Sequence, residues 1–282
     1  MFKTFFQLKR RQQRFWLYPL MSVLLAISLI VGTPQVSQAS SWFELLIRGV
    51  QIFQLSNMSD KQEVQLGKQI NQQIVREVQL YRNREINRYI DEIGQRLAAE
   101  SIRPNIPYTF QVVKDDSINA FATMGGFVYL NTGLIKTADN ESQLASVMAH
   151  EVAHVAGEHA LQQMRQTAIA RGVAAAAGLD RSTAVNIGVE LALRRPNSRQ
   201  DELEADQLGL ENLKKAGYAP IGMVEFMEKL QQKGGSVPAI LSTHPATSDR
   251  VQALKQAINP AQANVGDGLD NRAYRNNIRV LL

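Results

Sequence analysis

Cysteine is absent from all 282 residues, which excludes a disulfide framework, a thiolate metal site, a cysteine nucleophile and a lipidated amino-terminal cysteine. Histidine is scarce, with four in the chain. The first 39 residues lack Asp and Glu, and beyond them no stretch is long and apolar enough to span a membrane by itself. No repeat of solenoid length is present. A basic surface is missing too. The formal net charge is +5, but Lys3, Lys9, Arg10, Arg11 and Arg14 supply it, and 26 basic residues face 26 acidic ones in the remainder. No stripe is available for phosphate, so no nucleic-acid partner is expected.

What the amino terminus does have is a basic start to Arg14, an apolar stretch from Phe15 to Gly32, and Ser37-Gln38-Ala39, small at the two positions that a signal peptidase inspects. Residues 1–39 therefore read as a signal peptide for export to the periplasm or cell envelope. The other reading is an uncleaved anchor through residues 15–32, a stretch long for a signal and slightly short for a full span. Trp42 to Leu55 is amphipathic, with Phe43, Leu46, Ile47, Val50 and Phe53 on one side. It is expected to be a packed helix, with a membrane-surface helix and peripheral association as the alternative.

Periodicity predicts helices over Asp60 to Leu80 and Arg84 to Glu100, and strands over Tyr108 to Val113 and Phe127 to Leu130. Residues 119–126 read as a loop. Gly126, Phe127, Val128 and Tyr129 read either as an exposed edge able to bind a peptide by strand addition or as ordinary core. A helix capped by Asp139 or Asn140 is expected from Glu141 to about Met164. The Ala-rich residues 165–195 read as a helical hairpin or a cover. The fold class is α+β, mostly helical, with a small sheet.

Inside the helix expected from Glu141 lies His150-Glu151-Val152-Ala153-His154. Successive helical residues turn by about 100°, so His150 and His154 stand one above the other and can reach one metal ion. Glu151 falls roughly 60° round from His154, where it can lean over a water as a general base without being a ligand. The surrounding Val, Ala and Met want burial, and buried polar groups need partners. Two imidazoles and a carboxylate suit one zinc ion, with a fourth position left open for water.

The third ligand must come from elsewhere. His159 would lie about 140° from His154 on a continuing helix and point away. In Glu202-Leu203-Glu204-Ala205-Asp206, Glu202 and Asp206 share a helix face while Glu204 looks away. Glu202 can ligate the metal, and Asp206 can accept the outer N–H of a ligating imidazole. His244 precedes a helix on a loop; it can donate to the oxyanion of a tetrahedral intermediate or fill the open metal position.

With both motifs in hand, the chain resembles the gluzincin family of HtpX-like, BepA-like and Oma-like zinc metallopeptidases, to which the CAAX prenyl protease also belongs. Glu63 with Gly67, Asn119 to Ala122, Gly125-Gly126, Thr132-Gly133-Leu134, and His244-Pro245 with Arg250 carry the resemblance further, over about residues 58–258. It implies a zinc-dependent endopeptidase with a zincin-like fold, in which His150, His154 and Glu202 are ligands, Glu151 the general base and Asp206 a supporting carboxylate. It also implies substrate contacts by Gly126 to Tyr129 and by Arg250, and a transition-state role for His244. Unfolded or misassembled envelope polypeptides are the implied substrates. Residues 40–282 are expected to form a single metallopeptidase domain. Only 24 residues follow Ile258, too few for a tetratricopeptide repeat, so a stand-alone catalytic domain is expected.

Overall fold

A computed structural model describes residues 52–282 apart from 54, 172–178, 195, 233–237 and 246–247. The signal or anchor expected over residues 1–39 and most of the amphipathic stretch from Trp42 lie outside them. At the far end of that stretch Ile52–Phe53 is a strand (β1) rather than helix. It pairs antiparallel with Leu179–Asp180, a distant backbone contact that overrides the local helical period.

The first two helices follow their sequence signals closely. α1 (Asp60–Glu77) opens with a capping box in which Ser59 accepts from Gln62 N, and it buries Leu66, Ile70 and Ile74 at steps of four. It stops three residues before Leu80, which forms a bridge to Val113. α2 (Arg84–Ala99), capped by Asn83, buries Ile86, Ile90, Ile93 and Leu97.

The sheet departs from expectation. β2 (Thr109–Val113), β3 (Ala120–Thr123) and β4 (Phe127–Asn131) stand in the order β2-β4-β3, with β2 parallel and β3 antiparallel to β4. Residues 120–123, expected as loop, form an edge strand; their strand character comes from pairing with β4 and packing against the helix Glu141–Ala156, not from local propensity. Phe127–Asn131, whose residues Phe127 to Leu130 read either as an exposed edge or as ordinary core, is the central strand, buried at all five positions. Paired on both sides, it cannot accept another strand, so residues 126–129 are not the free edge that strand addition needs.

After the short α3 (Thr132–Thr137) comes α4 (Glu141–Ala156), capped by Asn140. Every residue from Ser142 to Ala156 is buried, as a helix without a polar face requires. It ends at Ala156, and α5 (His159–Ala170) starts anew after a break. Beyond β5 (Leu179–Asp180), α6 (Arg181–Arg194) packs on α5 as the expected hairpin and also against β3. α7 (Arg199–Lys215) and α8 (Ile221–Gln232) flank α4. The chain continues through α9 (Ile240–Thr243), α10 (Ser248–Ala257) and α11 (Asn271–Asn277). The carboxy-terminal segment folds back under the start of α4. Ser142 N donates to Gly268 O, Asn140 Nδ2 to Asn271 Oδ1, and the buried Tyr274 Oη to Ile135 O. No helix among the described residues is long and apolar enough to cross a membrane.

The approach of α1 to the turn before β4 depends on Gly67, where a Cβ would stand 2.2 Å from the Met124 carbonyl oxygen. Gly67→Ala is therefore expected to destabilise the fold by about 1–3 kcal/mol, lowering the melting temperature by roughly 2–10 °C for a domain of this size. Thermal denaturation checks it, and an unchanged melting temperature would contradict the close approach.

Candidate metal centre

α4 sets His150 and His154 one turn apart, with their Nε2 atoms separated by 3.0 Å. α7 reaches the same face at close range because Gly209 has no side chain: a Cβ there would stand 3.1 Å from the His150 backbone. Asp206 and Glu202 lie one and two turns before Gly209 on the buried face of α7, itself opened by a capping box between Ser198 and Asp201. Glu202 Oε1 is 3.3 Å from His154 Nε2, and its Oε2 is 3.5 Å from His150 Nε2. Asp206 Oδ1 is 3.1 Å from His150 Nδ1. His244, at the end of α9, brings its Nδ1 to 2.9 Å from Glu202 Oε1 and 3.3 Å from His150 Nε2.

His150, His154, Glu202 and His244 are buried, and their donor atoms lie within 4.8 Å of one another. Zinc at its usual bond lengths places tetrahedral ligand atoms roughly 3.4 Å apart, so three imidazole and carboxylate donors with His244 as the fourth fit it. Charge agrees. Glu151, Glu202 and Asp206 are buried, and one guanidinium, Arg250, contacts Glu202 and Asp206, so carboxylates outnumber the arginine at a site where a cation can bind. Glu151 is fully buried, and neither of its carboxylate oxygens has a hydrogen-bond partner among the described residues. His244 Nε2 stands 3.6 Å from Glu151 Oε1. An unpartnered buried carboxylate is costly unless it has a proton or water to engage.

Burial pushes the Glu202 carboxyl up, but hydrogen bonds with His150, His154 and His244 outweigh it and hold the group well below the usual carboxylate range. Asp206 likewise resists burial and is lowered by Arg250 and His150. His150 would be pushed down by burial; Asp206 at one nitrogen and Glu202 at the other raise it to about 10. His154 goes the other way, lowered by burial and by the neighbouring His150 and His244.

Two expectations are corrected here. Arg250, expected to touch substrate, is 3% exposed; its Nε and Nη2 hold both Asp206 oxygens at 2.6 and 2.7 Å, and its Nη1 reaches Glu202 and the Pro245 carbonyl. It fixes the carboxylates instead. His159, expected to point away, is 1% exposed and touches His154. An angle of about 140° holds only on a continuous helix, and Gly157 followed by left-handed Glu158 breaks this one. A glycine at a helix end is a stop signal, so the sequence held a warning. Asn197 carried none: between Pro196 and Ser198 it reads as a turn residue, yet its Nδ2 lies 3.4 Å from His154 Nε2 and 3.3 Å from His244 Nδ1. A cavity opens from the donors, lined by Thr123 and Met124 of the sheet edge, Glu151, His154, Leu191 and Asn197 among others.

The sequence pattern of peptidase family M48 matches residues 84–258. The chain is 33% identical over 221 residues to the beta-barrel assembly-enhancing protease of Escherichia coli K12, covering 72% of this chain and 45% of that one. It is 31% identical over 179 residues to the metalloprotease YcaL of the same organism, covering 58% and 70%. It is 29% identical over 180 residues to the mitochondrial metalloendopeptidase OMA1 of Schizosaccharomyces pombe, covering 62% and 53%. The chain thus spans less than half the length of the beta-barrel assembly-enhancing proteases it matches.

A proton and a metal ion compete for the same nitrogen. His150 has a raised pKa of about 10, so it holds its proton below that pH, and zinc affinity should climb through the neutral range by roughly tenfold per pH unit for each proton displaced. Calorimetric titrations in buffers of different ionisation enthalpy are expected to show release of about one proton near pH 7.5. An affinity that stays constant from about pH 6.5 to 8.5 would contradict the competition.

Proposed function

Since the chain belongs to peptidase family M48, we propose that it is a zinc-dependent endopeptidase in which His150, His154 and Glu202 hold the ion, Asp206 orients His150, and Glu151 is the general base. The observation that carries this reading is the buried Glu151 carboxylate, without a hydrogen-bond partner among the described residues and facing the cavity beside the donors. When bound, zinc supplies Lewis acidity that polarises a carbonyl and lowers the pKa of a water to about 7. Glu151 takes a proton from the attacking water and passes it to the leaving amine. The substrate backbone lies along the outer edge of β3, whose Phe121 to Thr123 border the cavity. An edge strand reads main chain rather than side-chain sequence, which suits unfolded or misassembled polypeptides.

Residues 1–39 direct the protein to the cell envelope, and residues 40–282 act as one catalytic domain. The name of the Escherichia coli relative, a beta-barrel assembly-enhancing protease, supports envelope proteins as the substrate class and quality control as the role.

A second reading is favoured by His244. With Nδ1 among the metal donors, it fills the position that a substrate carbonyl or water needs, so the protein is either a latent peptidase or a zinc-containing protein that binds polypeptides without cutting them. Displaced from the metal, the same imidazole can donate to the oxyanion.

The test is cleavage of casein by the zinc-loaded chain beside two variants at matched zinc content. Glu151→Gln is expected to lower the rate by roughly 10²–10⁴-fold while retaining zinc. His244→Ala is expected to raise it if the histidine acts as a plug, and to lower it by about 10²–10³-fold if oxyanion stabilisation dominates. No cleavage by the parent or by His244→Ala, with zinc present in both, would leave only the binding-protein reading.

A further inference from the structure

The two histidines on α4 have different outer partners. His150 Nδ1 faces a carboxylate, Asp206, whereas His154 Nδ1 lies 2.8 Å from Nδ1 of His159. His159 is itself buried, with its ring 4.9 Å from that of His154 at 74°. Its other nitrogen, Nε2, has no hydrogen-bond partner among the described residues and faces the half-exposed Glu204 carboxylate at 3.6 Å.

Proton positions along this row are set by the first nitrogen. His154 turns Nε2 toward His150 and Glu202, so with a metal on that atom its proton must sit on Nδ1. The acceptor must then be a bare Nδ1 of His159, which leaves the His159 proton on Nε2, pointing at Glu204. A cationic His159, or the opposite tautomer, would set two N–H groups against each other.

The backbone is shaped for this contact. The break between α4 and α5 passes through Glu158 in the left-handed region at φ 56°, the one non-glycine positive φ among the described residues, a conformation that costs a side-chain-bearing residue free energy. Arg103 offsets it, with Nη1 3.5 Å from Glu158 Oε1 and donating to the Val155 carbonyl at 3.3 Å. At Gly157 a Cβ would stand 2.6 Å from His159 Nε2, so only glycine leaves room for the ring. Strain and space both serve to turn His159 back onto His154.

We propose that His159 is the positioning residue of metal ligand His154, accepting its Nδ1–H with its own Nε2 turned toward Glu204. This rests on the reading of His150, His154 and Glu202 as metal ligands. The two ligands are then unequally supported, one by a charge and the other by a neutral ring.

With four histidines in the chain, a ¹⁵N–¹H imidazole spectrum of the zinc-loaded full chain carrying Glu151→Gln reads the tautomers directly. The expected result is His154 coordinated at Nε2 and protonated at Nδ1, with His159 protonated at Nε2 alone. A proton on His159 Nδ1 overturns the proposal. Zinc affinity by chelator competition gives a second readout. His159→Leu should bind zinc about 10–100-fold more weakly, while His159→Asn, whose Oδ1 can stand in for Nδ1, should recover most of the loss. Equal affinities for the two variants, or a Leu variant that matches the parent, overturn it as well. If the Leu variant does not fold, the spectrum decides alone. A parent chain that takes up no zinc would instead defeat the metallopeptidase reading on which the proposal stands.

Discussion

Three carboxylates, Glu151, Glu202 and Asp206, lie in the interior around one guanidinium, and much of the architecture follows from keeping them there. A buried charge left uncompensated costs several kcal/mol. Arg250 meets part of the demand by gripping both oxygens of Asp206 and reaching Glu202. The histidines and a divalent ion meet the rest. The bare contact at Gly209 brings the two helices close enough for this to happen. A Cβ there would push α7, with both its carboxylates, away from the imidazoles.

The helices that pack by periodicity were legible in the sequence, because a capping box and apolar residues every four positions act locally. So was the stacking of His150 and His154 on one face, since fixed spacing on one helix dictates fixed geometry. What was not legible depended on contacts between distant segments. Ala120 to Thr123 is short and rich in small side chains, and it becomes a strand only because Phe127–Asn131 is there to pair with it. Residues 126–129 looked like an edge for the same reason: without the neighbour in view, a central strand and a free one read alike. His159 was lost to a single turn of backbone, since its direction depends on one left-handed residue. Arg250 has no local mark of burial, and its partners lie 44 and 48 positions earlier in the chain.

Buried Glu63 and the partly buried Arg103 form a second ion pair, and it braces the same region from the other side. Arg103 holds Glu63 and Asp60 at 2.6 Å each, while Glu63 accepts from Gly125 N at the turn into β4. One guanidinium therefore joins the start of α1, the end of α4 and, through Glu63, the turn that leads into the central strand. The edge strand β3 and the metal donors are thereby referred to one frame. Any tilt of α4 is resisted at both the sheet and the first helix.

The segment around Gly268 to Tyr274 that holds the start of α4 gives the molecule an order of assembly. Its contacts with residues 135–142 close loops of well over a hundred residues, and closing long loops is slow because their entropy must be lost before any contact forms. The His150–His154 pair is local and can form early, yet the helix bearing it is not clamped until that late segment docks. Until the segment docks, α4 carries its two histidines without the hydrogen bonds that fix its start.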